Sequence, residues 1–499
     1  MSDVFISRDS AVSDLLSAAA YLGERIRSGD GRAEAMNAVV PRFLAKGEVD
    51  LTAELANSVD DPYSRDKLLT MVAEKCASID DDEYAIQLAD AIEDHGLRAQ
   101  AFERIGLIKA GKGDLEKAAE VAASMEHPDF VLSAIAVFQA SSADDTAARA
   151  TLEEIEFATA RVSACLHIAG DRIQKGDIAG AVAWLDDAVE SANDIEHIEE
   201  KIRALCDIGN IYIESGRNDK SIETFETARQ FAETLENVHR DLFLATCALG
   251  FLNAGSQDLA DRALDLVSDK TQMASAMLGF ARHSWKAEKK EDAVEELEEA
   301  YSILKSQGER EIRDSRARNA LLGSVAAQFA GFGKTERGVE VAFENPDPSE
   351  QVGAITQIAQ VLTIQGEDVL ARETVNEIDD DSGRIAALVS VADVRIDRGN
   401  PEGATDLLNE AAAMSDELQQ LASRSELLNQ IANRFAILGQ TDLAGELASS
   451  NLALISDVRD ESSRSVLLAT LADIYEQANI PISDPDRERL NLFVRKADL

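Results

Sequence analysis

The feature that most restricts what this chain can fold into is a pair of small residues twelve positions apart, repeated along most of its length. Ala73, Gly106, Ala136, Ala169, Gly209, Ala248, Ala281, Ala326, Ala359, Ala392 and Ala432 are each followed twelve residues later by Ala85, Ala118, Ala148, Ala181, Ser221, Ala260, Ala293, Gly338, Ala371, Ala404 and Ala444. Between the members of a pair stands a turn signal such as AGKGDLEKA, QKGDIAGA, ESGRNDKS, GFGKTERG or ILGQTDLA. Glycines such as Gly113, Gly176, Gly216, Gly366, Gly399 and Gly439 suit the left-handed conformation after a helix end, and an Asp or Asn just beyond suits the cap of the next helix. Two helices joined in this way approach closely only if each offers a notch at the crossing. The spacing predicts helical hairpins.

The first small residue recurs at intervals of 30 to 45 residues, the range in which helix pairs stack on their neighbours. The stretch around Ala53 fits an earlier, degenerate hairpin. Leu468, Leu471, Ala472 and Tyr475 begin a last helix with no evident partner. Aromatic residues make up only 5% of the chain against 45% hydrophobic, so a core must be built from aliphatic and small side chains, which favours helix packing. The expected fold is all-α, an α-α superhelix or solenoid of about twelve hairpins. Residues 1–32 are expected as a capping helix, 33–480 as the solenoid, and 481–499 as a tail or cap. The tail's Leu490, Leu492, Phe493 and Val494 are suited to covering the last repeat or to docking on another copy.

One repeat carries a family resemblance. Leu205, Ile208, Gly209, Tyr212, Gly216, Ser221, Phe225 and Ala228 follow the W-x2-L-G-x2-Y…A-x3-F pattern, with Leu in place of Trp and Ser in place of one Ala. Phe102, Ile105, Gly106 and Ala118 give a second partial match, and Ala181, Leu185, Ala188 and Ala404, Leu408, Ala411 give the second-helix half. Over roughly residues 33 to 480 the chain resembles a tetratricopeptide-repeat protein. The closing proline is mostly absent and several repeats run to about 40 residues, so a HEAT-like or other α-solenoid reading stays open.

A second element precedes many first helices: Ser64-Arg65, Arg98, Arg161, Ser382-Gly383-Arg384, Ser423-Arg424 and Ser463-Arg464. The expectation is that Ser caps the helix start while Arg pairs with acid from the preceding loop, in preference to binding ligand carboxylates.

The net charge is −44, from 93 acidic and 49 basic residues. A surface of this sign repels nucleic acid and anionic membranes. Acid is spread along the whole chain, and with 16 Lys against 33 Arg and no Lys between Lys334 and Lys496, the composition resembles that of proteins from halophilic archaeal cytoplasms. Four cysteines without CxxC spacing point to a reduced, cytoplasmic compartment. No stretch of 18 apolar residues occurs, so membrane insertion is not expected.

No catalytic constellation is apparent. Gly333-Lys334-Thr335 resembles the end of a phosphate-binding loop, but Gln328 stands where that pattern needs Gly, and the segment reads as a repeat turn. The six histidines form no HExxH or i, i+4 pair, and Cys165, Cys206 and Cys247, 41 residues apart, read as core side chains. Neither a metal nor a cofactor is expected, and an enzymatic reading has no residue to rest on.

The resemblance implies a groove lined by first helices that binds peptides or helices of protein partners. On that side the register places Asn210, Arg282, Trp285, Lys286, Gln360, Asn429 and Asn433. Arg282, Trp285 and Lys286 set two cations and an indole on one helix face, suited to an acidic or apolar peptide; Trp285 packed between hairpins is the alternative. Asn429 and Asn433 are suited to holding a peptide backbone. The implied function is a non-catalytic scaffold or adaptor, the alternative being a sensor solenoid that controls a separate effector. The oligomeric state is left open.

Overall fold

The computed structural model describes residues 5–305 and 315–497. Among them the chain forms 28 helices and no strand, an all-α repeat fold as expected. Twelve consecutive helix pairs run from Gly29–Ala45 with Val49–Asn57 to Leu421–Ile437 with Thr441–Ile455. They fall into two compact units: Met1–Ile108 together with Leu362–Leu499, and Lys109–Val361. Residues 1–4 of the expected cap and 498–499 of the expected tail lie outside the described residues.

All 22 residues of the small-residue series are buried, and the close crossing they permit is visible where the series uses glycine. A Cβ on Gly338 would stand 2.5 Å from the Ala326 carbonyl oxygen of the paired helix, and one on Gly209 would stand 2.7 Å from the Phe225 ring. The turn glycines behave as predicted: Gly113, Gly176, Gly216, Gly366, Gly399 and Gly439 all have φ between +71° and +87°. Beyond them Asp114, Asp177 and Asn400 cap the second helices by accepting from Lys117, Gly180 and Gly403 N–H. Gly333 and Lys334 occupy one of these turns, with Gly333 at φ +73° and Lys334 at the start of Thr335–Phe343.

The Ser-Arg element is built differently from expectation. The helix starts are capped by aspartate: Asp61, Asp380 and Asp460 accept from the backbone N–H of Ser64, Gly383 and Ser463. The arginine mostly serves a carbonyl. Arg32, Arg98, Arg161, Arg384 and Arg464 each donate to the carbonyl oxygen six residues upstream, on Ile26, Ile92, Ile155, Ile378 and Val458, at 2.6 to 3.2 Å. The reason is physical: the chain leaves a second helix, turns inward through an apolar residue, and exposes a carbonyl that no helix satisfies. Acid pairing survives at Arg65 with Asp66 and Glu93, at Arg161 with Asp194, and at Arg424 with Asp416.

In the unit formed by both chain ends, the partner that the sequence failed to supply for the last first-helix, Glu461–Gln477, comes from the N-terminus. Leu15–Gly23 packs against Glu461–Gln477 and against Gly29–Ala45, so it stands where a second helix belongs. Every residue of Leu15–Gly23 is buried. The Ser465 hydroxyl donates to the Ala19 carbonyl at 2.8 Å, Arg42 grips the Asp473 carboxylate at 2.9 and 3.0 Å, and Lys46 meets Glu476 at 2.8 Å. The C-terminal helix Asp484–Ala497 packs on Arg8–Ser13 and Leu15–Gly23, burying Leu490, Phe493 and Val494 while Leu492 stays exposed. The tail thus covers its own chain.

Cys76, Cys165, Cys206 and Cys247 are all buried and free, with the sulfurs of Cys206 and Cys247 4.0 Å apart. Burial pushes the Cys76 thiol up to about 11 and the Cys165 thiol up to about 12. Both are therefore protonated at neutral pH, and neither is expected to react with a thiol-specific disulfide reagent at pH 8 until the chain is unfolded; labelling followed by peptide mapping checks this.

Two pairs of variants test the packing. Gly338→Ala is expected to destabilise the Lys109–Val361 unit by about 1–3 kcal/mol through overpacking, whereas Gly170→Ala, with open space around the new Cβ, is expected to stabilise it by about 0.5–1 kcal/mol. For the joined ends, Leu16→Ala opens a cavity at a position 1% exposed and is expected to cost about 2–5 kcal/mol. Leu492→Ala, at a position 52% exposed, should stay within about 0.5 kcal/mol of the parent. Denaturant unfolding reads all four.

Candidate protein-binding surface

Two recesses are lined largely by first helices, one in each unit, and together they collect four of the seven residues singled out from the sequence. The first, about 330 Å³, lies in the Lys109–Val361 unit and is lined from Lys270–Lys286, Ser315–Gly331 and Pro348–Gln365. Arg282 and Trp285 reach it together, with Gln328, Phe332, Gln357 and Val361 around them. Trp285 is half-buried and stacks on Phe332 at 4.3 Å between ring centroids and 11° between planes. Lys290 stands over the indole at 5.2 Å. Packing between hairpins, the alternative for this tryptophan, is therefore realised on one face of the ring.

Arg282 is held from below. Gln328, 9% exposed, donates its amide to the Leu278 carbonyl at 3.1 Å and accepts from Arg282 Nε at 2.7 Å. This fixes the guanidinium plane while leaving Nη1 and Nη2 without a carboxylate among the described residues. Other arginines show how unusual that is here: Arg434 spends Nε and Nη2 on Asp393, and Arg337 spends them on Glu298. A guanidinium fork held in plane is preorganised for a carboxylate or other planar or tetrahedral oxyanion.

The sequence around it, Arg282 to Lys290, adds Lys286, Lys289 and Lys290 as exposed cations. Partial burial, followed by the charges of Lys289 and Lys286, pushes the His283 pKa down and so disfavours its charged form. Lys286 itself lies outside the recess, one turn beyond Arg282. Gln360 is half-buried and also outside, between Gln357 and Val361 in sequence, and exposed Asn210 joins neither recess.

The second recess, about 490 Å³, lies among Leu421–Ile437, Glu461–Gln477 and Glu34 in the unit formed by both chain ends. Asn429 and Asn433 both line it, over an apolar floor that includes Val466, Leu467 and Ile474. Asn429 is only 2% exposed, donates to the Leu467 carbonyl at 3.3 Å and accepts from Asn451 at 2.8 Å. Its amide therefore ties one first helix to the next, leaving half-buried Asn433 and Gln430 as the amides open to a ligand.

Sequence reasoning missed Gln328 and Phe332. In the sequence Gln328 reads only as the residue that breaks a phosphate-loop pattern, and nothing local marks it as the support of an arginine 46 residues away. Phe332 sits beside a turn glycine, where an aromatic residue carries no periodic signal.

Comparison with known proteins agrees with the repeat. Residues 202–230, which contain Leu205, Gly209, Tyr212, Phe225 and Ala228, match the tetratricopeptide repeat. No curated protein matches the chain. Among solved structures, the chain is similar to Ton1535 from Thermococcus onnurineus NA1, at 15% identity over 81% of this chain and 98% of that one, with a TM-score of 0.24. It is also similar to a Podosopora anserina protein with nearly identical TPR-like repeats, at 17% identity over 53% of this chain and 100% of that one, with a TM-score of 0.23. A third similar structure is that of Naa15/Naa10 bound to HypK-THB, at 13% identity over 93% of this chain and 78% of that one, with a TM-score of 0.30.

Proposed function

We propose that this protein is a non-catalytic scaffold that binds an acidic segment of a protein partner through the recess at Arg282. The observation that carries the reading is the Arg282 fork, fixed in plane by buried Gln328 and unpaired among the described residues in a chain with 93 acidic side chains. In this reading a partner carboxylate takes Nη1 and Nη2, an apolar neighbour packs against Trp285 and Phe332, and Lys286, Lys289 and Lys290 attract the rest of the segment. The net charge of −44 does not defeat this, because salt screens distant charges, beyond about 8 Å at about 0.15 M and beyond about 3 Å at about 1 M, and leaves the contacts made within the recess to decide binding. The recess in the other unit, with Asn433 and Gln430, offers amide donors and acceptors for an extended backbone. We assign the evenly spread acid to solubility in a salt-rich cytoplasm of halophilic type rather than to partner choice.

Trp285 reports on the site directly, since the other tryptophan, Trp184, is 1% exposed. Titration with acidic peptides carrying one Phe or Leu is expected to change tryptophan fluorescence saturably and in a salt-sensitive way, while basic peptides give no change. Arg282→Glu is expected to abolish the response, and Gln328→Leu, which keeps the cation but frees it, to weaken binding by about tenfold, as loss of a positioned charge-assisted hydrogen bond implies. An unaltered response in Arg282→Glu, or no saturable response to any acidic peptide, would overturn the reading.

A further inference from the structure

We propose that the recess where the two ends of the chain meet is a binding site for a small phosphate-bearing anion. It has a volume of about 780 Å³ and is walled by residues between Leu22 and Glu34, by the loop and helix start from Arg459 to Arg464, and by Lys496 and Ala497. That volume lies within the range of small-molecule sites. All three segments belong to one compact unit, so the site exists only while the N- and C-terminal segments are joined.

Its charge sets it apart. Arg25, Arg27, Arg459, Arg464 and Lys496 face it with four carboxylates, whereas acids outnumber bases 93 to 49 in the whole chain. Arg27, Arg459 and Lys496 are exposed and make no ion pair among the described residues. Arg464 is anchored by Nε and Nη2 on the Val458 carbonyl, and Arg25 by its hydrogen bond to the Tyr21 carbonyl and its position 3.3 Å over the Tyr21 ring. Two of the four acids already have local partners: Asp460 accepts from Ser463 N–H, and the single Ser462 hydroxyl proton is shared between Asp460 and Glu34.

Three exposed cations from three separate segments thus line one open recess, with two more arginines fixed beside them. A tetrahedral, multiply charged phosphoryl group satisfies several converging donors at once, which a single carboxylate does not. The lining contains no aromatic ring, so the site recognises the phosphoryl groups and not a nucleobase. A ligand here bridges both chain ends and stabilises their union by mass action.

The test is thermal unfolding of the full chain with inorganic pyrophosphate titrated at constant ionic strength, set by potassium chloride. The expected result is a saturable rise in the unfolding midpoint, with ATP acting no more strongly than inorganic tripolyphosphate. Arg27→Glu combined with Arg459→Glu alters two exposed side chains, so the unliganded midpoint should be nearly unchanged while the pyrophosphate required rises by about tenfold or more, as loss of charge-assisted contacts implies. No saturable rise in the parent chain, or the same pyrophosphate dependence in the double variant, would overturn the proposal.

Discussion

Everything in this fold depends on how closely the two helices of a hairpin approach. An alanine or glycine on each side of the crossing lets the backbones come together, and where glycine is used the tolerance is nearly zero, as at Gly338 against the Ala326 carbonyl. Close crossing buries the shared stripe with small side chains, which explains how a chain that is 5% aromatic still forms a tight core. Aromatic residues then serve as occasional wedges: Phe225 fills the space against Gly209 and Gly250, and its ring lies 6.0 Å from that of Phe251. With the paired faces committed to packing, chemistry is left to the faces that look away from the crossing.

The second constraint is the exit from each hairpin. An apolar residue turns inward after the second helix, its carbonyl is left without a helical partner, and an arginine six residues on supplies the donor. Elsewhere an aspartate does the complementary task, Asp66 accepting from Glu93 and Asp94 N–H and Asp241 from Ser268 and Asp269 N–H. Most arginines in the repeats are therefore structural, either on carbonyls or gripped by carboxylates of a neighbouring helix. That background gives the unpaired Arg282 fork its meaning, since an acidic chain offers abundant carboxylates and this guanidinium instead rests on a neutral glutamine.

Much of this was legible in the sequence because hairpin packing is local. The small-residue pairs and the turn glycines lie within a dozen or so residues of one another and came out where expected. Of the second-helix caps, Asp114, Asp177 and Asn400 did so, whereas the helices after Gly216, Gly366 and Gly439 start at Arg217, Glu367 and Gln440 with no side-chain cap. The Ser-Arg element is recognisable as a repeat, but its chemistry is not what the side chains suggest: an aspartate three residues before the serine or glycine is the cap, and the arginine answers a main-chain carbonyl, which no side-chain pattern reveals. The partner of Glu461–Gln477 was illegible for a different reason. It lies more than 400 residues away, as the Ser465 to Ala19 hydrogen bond shows, and no periodicity connects the two ends of a chain. Gln328 was missed on similar grounds, its role being defined only by what it touches.

The union of the chain ends also changes what the N-terminal segment is for. A simple cap covers one apolar face and turns a polar one to solvent, yet Leu15–Gly23 has no exposed residue at all. It is packed by four helices, Arg8–Ser13, Gly29–Ala45, Glu461–Gln477 and Asp484–Ala497. The loop-closure entropy of bringing together segments so far apart in sequence grows only logarithmically with their separation, so a single well-packed helix with a few charged clamps such as Arg42–Asp473 is sufficient to hold them. The same logic makes the junction a natural place for linkage: any group that binds across it acts on the union of both ends at once, whereas a group bound within one hairpin acts only on that hairpin and its neighbours.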